Sequence, residues 1–305
     1  MRRPVRAPAV AGSFYPGTKA GLTPLVHALF AAAARLPPAR VAGGSHDGPI
    51  GILVPHAGLA YSGVPAAAAW ACIGLDGRGA GQPGPLVVLL GTNHVAGWLD
   101  GVGAWDGGAW ETPAGEVEVD EALVADILAL GAPFRPDRDA HRGEHSLEVQ
   151  LPLLAAAAPG ARIAPLAVSA GTGAGAVAAG ARLGGLLAAR RAAGDRVVLV
   201  ISSDMAHYPP ADACARASEV LLPAIAAVDA AGLARRERDL RKAGIRGLAC
   251  GMCGIEPAVL GLAALRAMGA AVGTPLAMAT SADAGGPADR TVGYLAARFD
   301  ARLVS

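Results

Sequence analysis

Short apolar runs that alternate with helical patterns constrain this chain more than any other feature. Six segments read as buried strands: Ile50–Pro55, Leu86–Gly91, Ile163–Val168, Arg196–Ser202, Pro275–Thr280 and Thr291–Phe299. Each is apolar and bounded by Gly, Pro or polar residues. Helical patterns lie between most of them, near Gly21–Arg35, Ser62–Ile73, Glu121–Leu130, Gly173–Ala192, Ala211–Asp229 and Gly254–Met268. Strands without polar alternation are buried on both faces, and their alternation with helices builds a mostly parallel or mixed central sheet flanked by helices. The expectation is therefore an α/β fold in a single domain spanning residues 1–305. Pro37–Pro49 and Asp76–Pro85 read as surface loops. Arg235–Arg246 is a charge run and reads as a solvated helix face.

Apolar residues make up 53% of the chain, enough for a sizeable core, and the formal net charge is +1, which offers no basic field for nucleic acid. The uncharged stretch Gly48–Leu75 is broken by prolines, and Ile163–Ala181 is too weakly apolar to span a bilayer. Met1-Arg2-Arg3 is followed by no apolar segment of the kind a secretory leader needs. The four cysteines, Cys72, Cys214, Cys250 and Cys253, make no disulfide framework. A cytoplasmic protein with reduced thiols, no nucleic-acid partner and no membrane partner is expected.

The chemistry concentrates where strands end. In α/β sheets, ligands bind outside the carboxyl ends of the strands. Ile50–Pro55 runs into His56-Ala57-Gly58 and then Tyr61-Ser62-Gly63; Leu86–Gly91 runs into Thr92-Asn93-His94; Arg196–Ser202 runs into Ser203-Asp204-Met205-Ala206-His207-Tyr208. Three of seven histidines at such positions favour a site over three unrelated structural roles. Glu144 and Glu148 stand four apart, so on a helix they share a face. They read either as a solvated, capping face or as carboxylates that orient a ligand histidine, with His145 between them. Cys250-Gly251-Met252-Cys253 precedes a helical pattern, where a helix N-terminus lowers a thiol pKa. A single Cys-x-x-Cys cannot make a zinc ribbon, but Cys250 is a candidate redox partner. His27 and His46 read as surface residues, His141 as rim of the Glu144 segment, and Cys72 and Cys214 as small core residues.

These blocks, taken in order, resemble the Memo family, whose bacterial members are commonly labelled AmmeMemoRadiSam system protein B. The resemblance runs nearly end to end. It begins at Arg6-Ala7-Pro8-Ala9-Val10-Ala11-Gly12-Ser13-Phe14-Tyr15-Pro16 and continues through Pro55-His56-Ala57-Gly58, Gly91-Thr92-Asn93-His94 and Glu144-His145-Ser146-Leu147-Glu148. It ends with Ser202-Ser203-Asp204-Met205-Ala206-His207 and Cys253-Gly254-Ile255-Glu256-Pro257. At the second histidine block the family commonly has Gly-Pro-Ser-His-His, and this chain has Gly91-Thr92-Asn93-His94-Val95.

The resemblance implies a fold similar to class III extradiol dioxygenases, non-haem iron enzymes with a two-histidine, one-carboxylate centre. It implies that His56, His94 and Cys253 are metal ligands, with Cys253 in the carboxylate's place, and that His207 moves protons with Asp204 beside it. Glu256, three residues after Cys253, is an alternative carboxylate donor. Glu144, His145, Tyr61, Asn93 and Ser203 are expected around the pocket. The implied function is a metal-dependent, dioxygenase-like oxidoreductase acting on a small chelating or aromatic substrate, with Fe(II) first and Cu or Zn as alternatives. Two other readings use the same pocket: a non-catalytic peptide- or anion-binding module, and a copper-handling redox protein. The family label also implies radical-SAM and AMMECR-type protein partners.

Overall fold

The computed structural model describes residues 3–37, 39, 48–74 and 84–301. Along the chain come β1 (Val5–Arg6), α1 (Lys19–Ala33), β2 (Gly51–Val54), α2 (Leu59–Gly74), β3 (Leu86–Thr92), β4 (Gly101–Ala104), β5 (Ala109–Thr112), β6 (Gly115–Glu118), α3 (Glu121–Ala129) and β7 (Phe134–Pro136). They are followed by α4 (Leu151–Ala157), β8 (Arg162–Ser169), α5 (Ala174–Ala192), β9 (Val197–Ser202), α6 (Ala211–Ala226), α7 (Ala230–Lys242), α8 (Ile255–Ala267), β10 (Ala270–Thr280) and β11 (Gly293–Ala301).

Eight strands make the main sheet, in the order β10-β11-β2-β9-β3-β8-β4-β7. Its centre, β2-β9-β3-β8, is parallel. On one side β11 and β10 join antiparallel; on the other, β4 runs antiparallel to β8 and β7 parallel to β4. Every residue of β2 and β9 is buried, so both faces of the sheet centre are covered, as their unbroken apolar sequences demand. Helix α2 packs on β2, β10 and β11 beside α1 and α4, while α8 packs on β3, β8 and β9 beside α5 and α7. The fold is thus α/β with a mixed sheet flanked by helices. No helix among the described residues is long and apolar enough to cross a membrane.

All six expected strands are present, with shifted ends; β10 starts at Ala270, five residues before the expected Pro275. Strands β4 to β7 and the small sheet β1-β5-β6 carry no clear signal in the sequence. They are two to four residues long, and β1 pairs with β5 from far along the chain, so partners rather than local propensity specify them.

The helix expected over Ala211–Asp229 is α6, which stops at Ala226, and a further helix, α7, follows at Ala230. Val228 takes a left-handed φ of 52°, and the Asp229 side chain accepts from the Gly232 amide to open α7. The charge run lies in α7 up to Lys242, and its face is not wholly solvated: Glu237 and Leu240 are buried. The loop stretches 37–49 and 76–85, and with them His46, lie largely outside the described residues.

A candidate metal centre at the carboxyl edge of the sheet

Parallel pairing sets the strand ends level. Val54 lies opposite Ser202, and Ser202 opposite Gly91. The chain then delivers His56, Asp204 and His94 two residues beyond β2, β9 and β3. Cys253 arrives from the opposite direction, on the turn that opens α8. The ligand atoms of His56, His94 and Cys253 all lie within 4.8 Å of one another, and His56 Nε2 is 3.2 Å from Cys253 Sγ.

The surrounding hydrogen bonds fix which nitrogen of each ring is free. Ser202 Oγ donates to Ser146 O (2.6 Å), so it accepts from His56 Nδ1 at 3.1 Å. Gln150 Nε2 also donates to that oxygen and to Pro55 O. Glu144, fully buried, can only accept, so His94 Nδ1 donates to it at 2.9 Å. Both imidazoles therefore carry their lone pair on Nε2, and that of His56 lies 3.2 Å from Cys253 Sγ. Glu144 further accepts from the amides of His94, His145 and Ser146. Its acid is held down at about 2: the His94 bonds and the backbone amides outweigh the large opposing cost of burial.

His145 stacks on His94 with ring centroids 4.5 Å apart, sits 5.4 Å from His56, and is backed by Phe14 at 4.8 Å. Together with Glu144 it makes a second donor group around His94. His207 enters with Asp204 and Cys253 in a third. Its Nε2 is buried with no hydrogen-bond partner among the described residues, 3.9 Å from Asp204 Oδ2. Burial, then His94 and His145, pushes the His207 pKa down to about 4. Asp204 Oδ1 accepts from the amides of His56 (2.7 Å) and Ala57 (3.2 Å), while burial raises its acid to about 7. Ser203 Oγ donates to Asp204 O, accepts from the Gly254 amide and lies 3.9 Å from Cys253 Sγ.

Several expectations need correction. Glu144 and Glu148 do not share a helix face; residues 148–150 form a single 3-10 turn, and both carboxylates are fully buried acceptors. Glu148 binds Arg6, the Ala9 and Val10 amides and the Tyr15 hydroxyl. His141 lines no rim. It is buried between Trp105 and Trp110, with Nε2 on Gly103 O. The helix N-terminus does not lower the Cys253 pKa: burial, with Asp204 and Cys250 nearby, raises it well above the ordinary thiol value.

Asn93 spends its side chain on the local turn, accepting from Val95 and Ala96 and donating to Ala96 O and Ser169. Tyr61 is half exposed on α2. Cys250 and Glu256 line a cavity beside Cys253, and Glu256 belongs to none of the three donor groups. Cys214 is buried, but Cys72 is only partly so. Ser202, Gln150 and Phe14 were not singled out in the sequence, although Phe14 and Ser202 lie within the matching blocks.

His141 gives a pH signature. Burial pushes its pKa from 6.5 down to about 4, so the folded state holds it neutral. Stability is unaffected by this group above pH 6.5. As pH falls toward 4 the unfolded chain takes up a proton that the folded chain refuses, and stability drops by about 1.4 kcal/mol per pH unit. Urea unfolding of wild type and His141→Gln between pH 7 and 4 should show a shallower decline in the variant; equal slopes would refute the assignment.

An α/β sheet whose parallel strand ends bring two imidazoles, each held by a dedicated partner, up to a thiol on the turn before α8 defines a protein with a candidate metal centre. The particular family follows from comparison: the Memo-like protein family model matches residues 6–298, and the chain belongs to that family. It is 35% identical over 299 residues to a MEMO1 family protein of Aquifex aeolicus, covering 97% of this chain and 99% of that one. It is 31% identical over 299 residues to MEMO1 family protein MK0963 of Methanopyrus kandleri, covering 96% and 98%. A solved structure of the uncharacterized protein JW3007 from Escherichia coli K12 overlaps it with TM-score 0.49 at 17% identity, covering 81% of this chain and 98% of that one.

Proposed function

We propose that this protein is a metal-dependent oxidoreductase, dioxygenase-like in its chemistry, that acts on a small chelating substrate. The observation that carries the reading is the convergence of His56, His94 and Cys253, with Nδ1 of each ring committed to Ser202 or Glu144 and Nε2 left to hold a ligand. The residues fit a transition-metal ion: two imidazoles of fixed tautomer and one thiol, a set suited to iron, copper or zinc. His56, His94 and Cys253 would hold it. Bound there, a redox-active metal supplies electron exchange between substrate and dioxygen.

The chain's own part is orientation and proton transfer. Ser202 and Glu144 lock the two rings. His207, neutral at pH 7 and with an unpartnered Nε2, takes a proton from the substrate and returns it later. Asp204, anchored on the His56 and Ala57 amides, faces His207 and steadies the charge that His207 gains. Iron is the first expectation from the resemblance; the sulfur donor draws the preference toward copper(I) or zinc.

The test is metal content by mass spectrometry on untagged protein purified without oxygen, wild type beside His56→Ala and Glu144→Gln. Iron near one per chain, lost in His56→Ala and bound about 10–100-fold more weakly in Glu144→Gln, is the expected result. Oxygen uptake with a panel of chelating substrates then follows. Copper or zinc in place of iron redirects the chemistry; no metal after reconstitution refutes the proposal.

A binding module is the second reading. Four side chains among the exposed large apolar ones, Tyr61, Val95, Trp98 and Tyr208, follow closely on the site histidines. A pure binding module would keep its ligand affinity after chelation, and the enzyme would lose it.

A further inference from the structure

Two glycines frame the turn that carries Cys253, which reads Cys250-Gly251-Met252-Cys253-Gly254. Neither has a left-handed φ, so close packing rather than backbone freedom demands them. A Cβ on Gly251 would lie 2.3 Å from Glu237 Oε2 and 2.8 Å from Leu240 Cδ1, both on α7. A Cβ on Gly254 would lie 2.6 Å from Ser203 Oγ and 2.7 Å from Thr92 Oγ1, at the ends of β9 and β3. The turn is wedged between α7 and the carboxyl edge of the sheet.

Hydrogen bonds hold it from both sides. On the sheet side the Cys253 amide donates to Asp204 O at 3.3 Å, the Gly254 amide donates to Ser203 Oγ at 2.9 Å, and Cys250 O accepts from the His207 amide at 3.0 Å. On the α7 side the Gly251 amide donates to Glu237 Oε1 at 3.1 Å. Glu237 is 4% exposed, and its Oε2 has no hydrogen bond among the described residues and presses on Gly251. Arg241 neutralises it poorly: its Nε is 3.8 Å from Oε1, on a side chain that is 62% exposed. Burial raises the Glu237 acid to about 7, against the pull of the Gly251 amide, Arg241 and the Met252 amide. A carboxyl group sits in such a place at a cost, and what it gains there is a grip on the turn.

We propose that Glu237 is the positioning residue for Cys253: its carboxyl group clamps the turn from the α7 side and keeps Sγ within reach of His56 and His94. His56 and His94 have their own holders in Ser202 and Glu144, and Glu237 is the corresponding holder of the thiol. That the thiol so held is a metal ligand rests on the function proposed above; the clamp itself does not.

Alkylation by iodoacetamide, read thiol by thiol by mass spectrometry on the metal-free protein, tests the clamp. Glu237→Ala should raise the Cys253 rate about tenfold, the effect of losing one hydrogen bond to a charged group, while Cys72 and Cys214 keep their wild-type rates. Gly251→Ala, whose added Cβ drives the carboxyl group off the turn, should do the same by an independent route. Glu237→Gln keeps an acceptor for the Gly251 amide and should stay near wild type. A rise shared equally by Cys72, Cys214 and Cys253 would mark general loosening, and an unchanged Cys253 rate would mean that the turn holds without Glu237; either overturns the proposal. Cobalt(II) titration reads the metal separately, through thiolate-to-cobalt absorption in wild type and about 10–100-fold weaker binding in Glu237→Ala. No such absorption in wild type would sink the metal-centre reading and leave the clamp standing.

Discussion

Replacing Arg6 with Met should destabilise the protein by about 3–5 kcal/mol, the range for breaking one side of a buried ion pair. Arg6 is 2% exposed. Its Nη1 donates to Glu148 at 2.7 Å, its Nε to His141 O at 2.7 Å and its Nη2 to Glu144 O at 2.6 Å, and the guanidinium lies 4.2 Å over the Trp110 ring. Glu148 is fully buried and takes three more bonds, from Ala9, Val10 and the Tyr15 hydroxyl. Removing Arg6 leaves that carboxylate short of its counter-ion and takes a donor from two carbonyls, of which His141 O keeps the Glu144 amide.

The network ties the N-terminal segment to the 141–150 loop, so its loss also reaches the site. Phe14 backs His145, and Glu144 holds His94. Urea denaturation measures the stability. Adding Glu148→Gln should recover part of the loss by removing the stranded charge, a non-additivity that a double-mutant cycle reads directly. A loss under about 1 kcal/mol would mean that the pair behaves as an exposed one.

Gly184→Ala should also destabilise strongly, against the helix-propensity rule. Alanine favours a helix over glycine by about 1 kcal/mol. At Gly184 a Cβ would lie 2.2 Å from Ala264 O, and at Gly180, one turn earlier, 2.2 Å from Leu260 O. Both obstacles are backbone atoms of α8, so relief requires α5 to move off its neighbour. Overpacking of this kind costs about 1–3 kcal/mol beyond the propensity gain. Gly185, beside it on the outer face, meets nothing within 4 Å, and Gly185→Ala should stabilise. Thermal unfolding of the two variants should move in opposite directions. A Gly184→Ala melting temperature equal to or above wild type would refute the close seam between α5 and α8.

The sequence showed the central strands and most helices because their signals are local. Strands β2, β3, β8 and β9 are nearly unbroken apolar runs, and helices α3 and α5 lie within one residue of their expected bounds. It also showed where the polar residues fall along those strands, which is why His56, His94, Asp204 and His207 could be read together. It could not show that Glu148 and Arg6 form one buried pair, since 142 positions separate them. Nor could it show that Ser202 and Glu144 select the tautomers of two different histidines. The charge run of α7 hid Glu237 for the same reason: a helical pattern reveals a face, and only the neighbouring element decides whether that face meets water or a buried turn.

By itself, then, the sequence determined the layered α/β class and the level at which the site residues leave the sheet. Both follow from periodicity and from what a strand end can present. The tertiary structure decided the rest, namely which donors converge, which nitrogen each ring offers, how the Cys253 thiol is depressed in acidity and where the cavity opens. Those properties depend on distances between residues remote in the chain and on the water that their packing excludes.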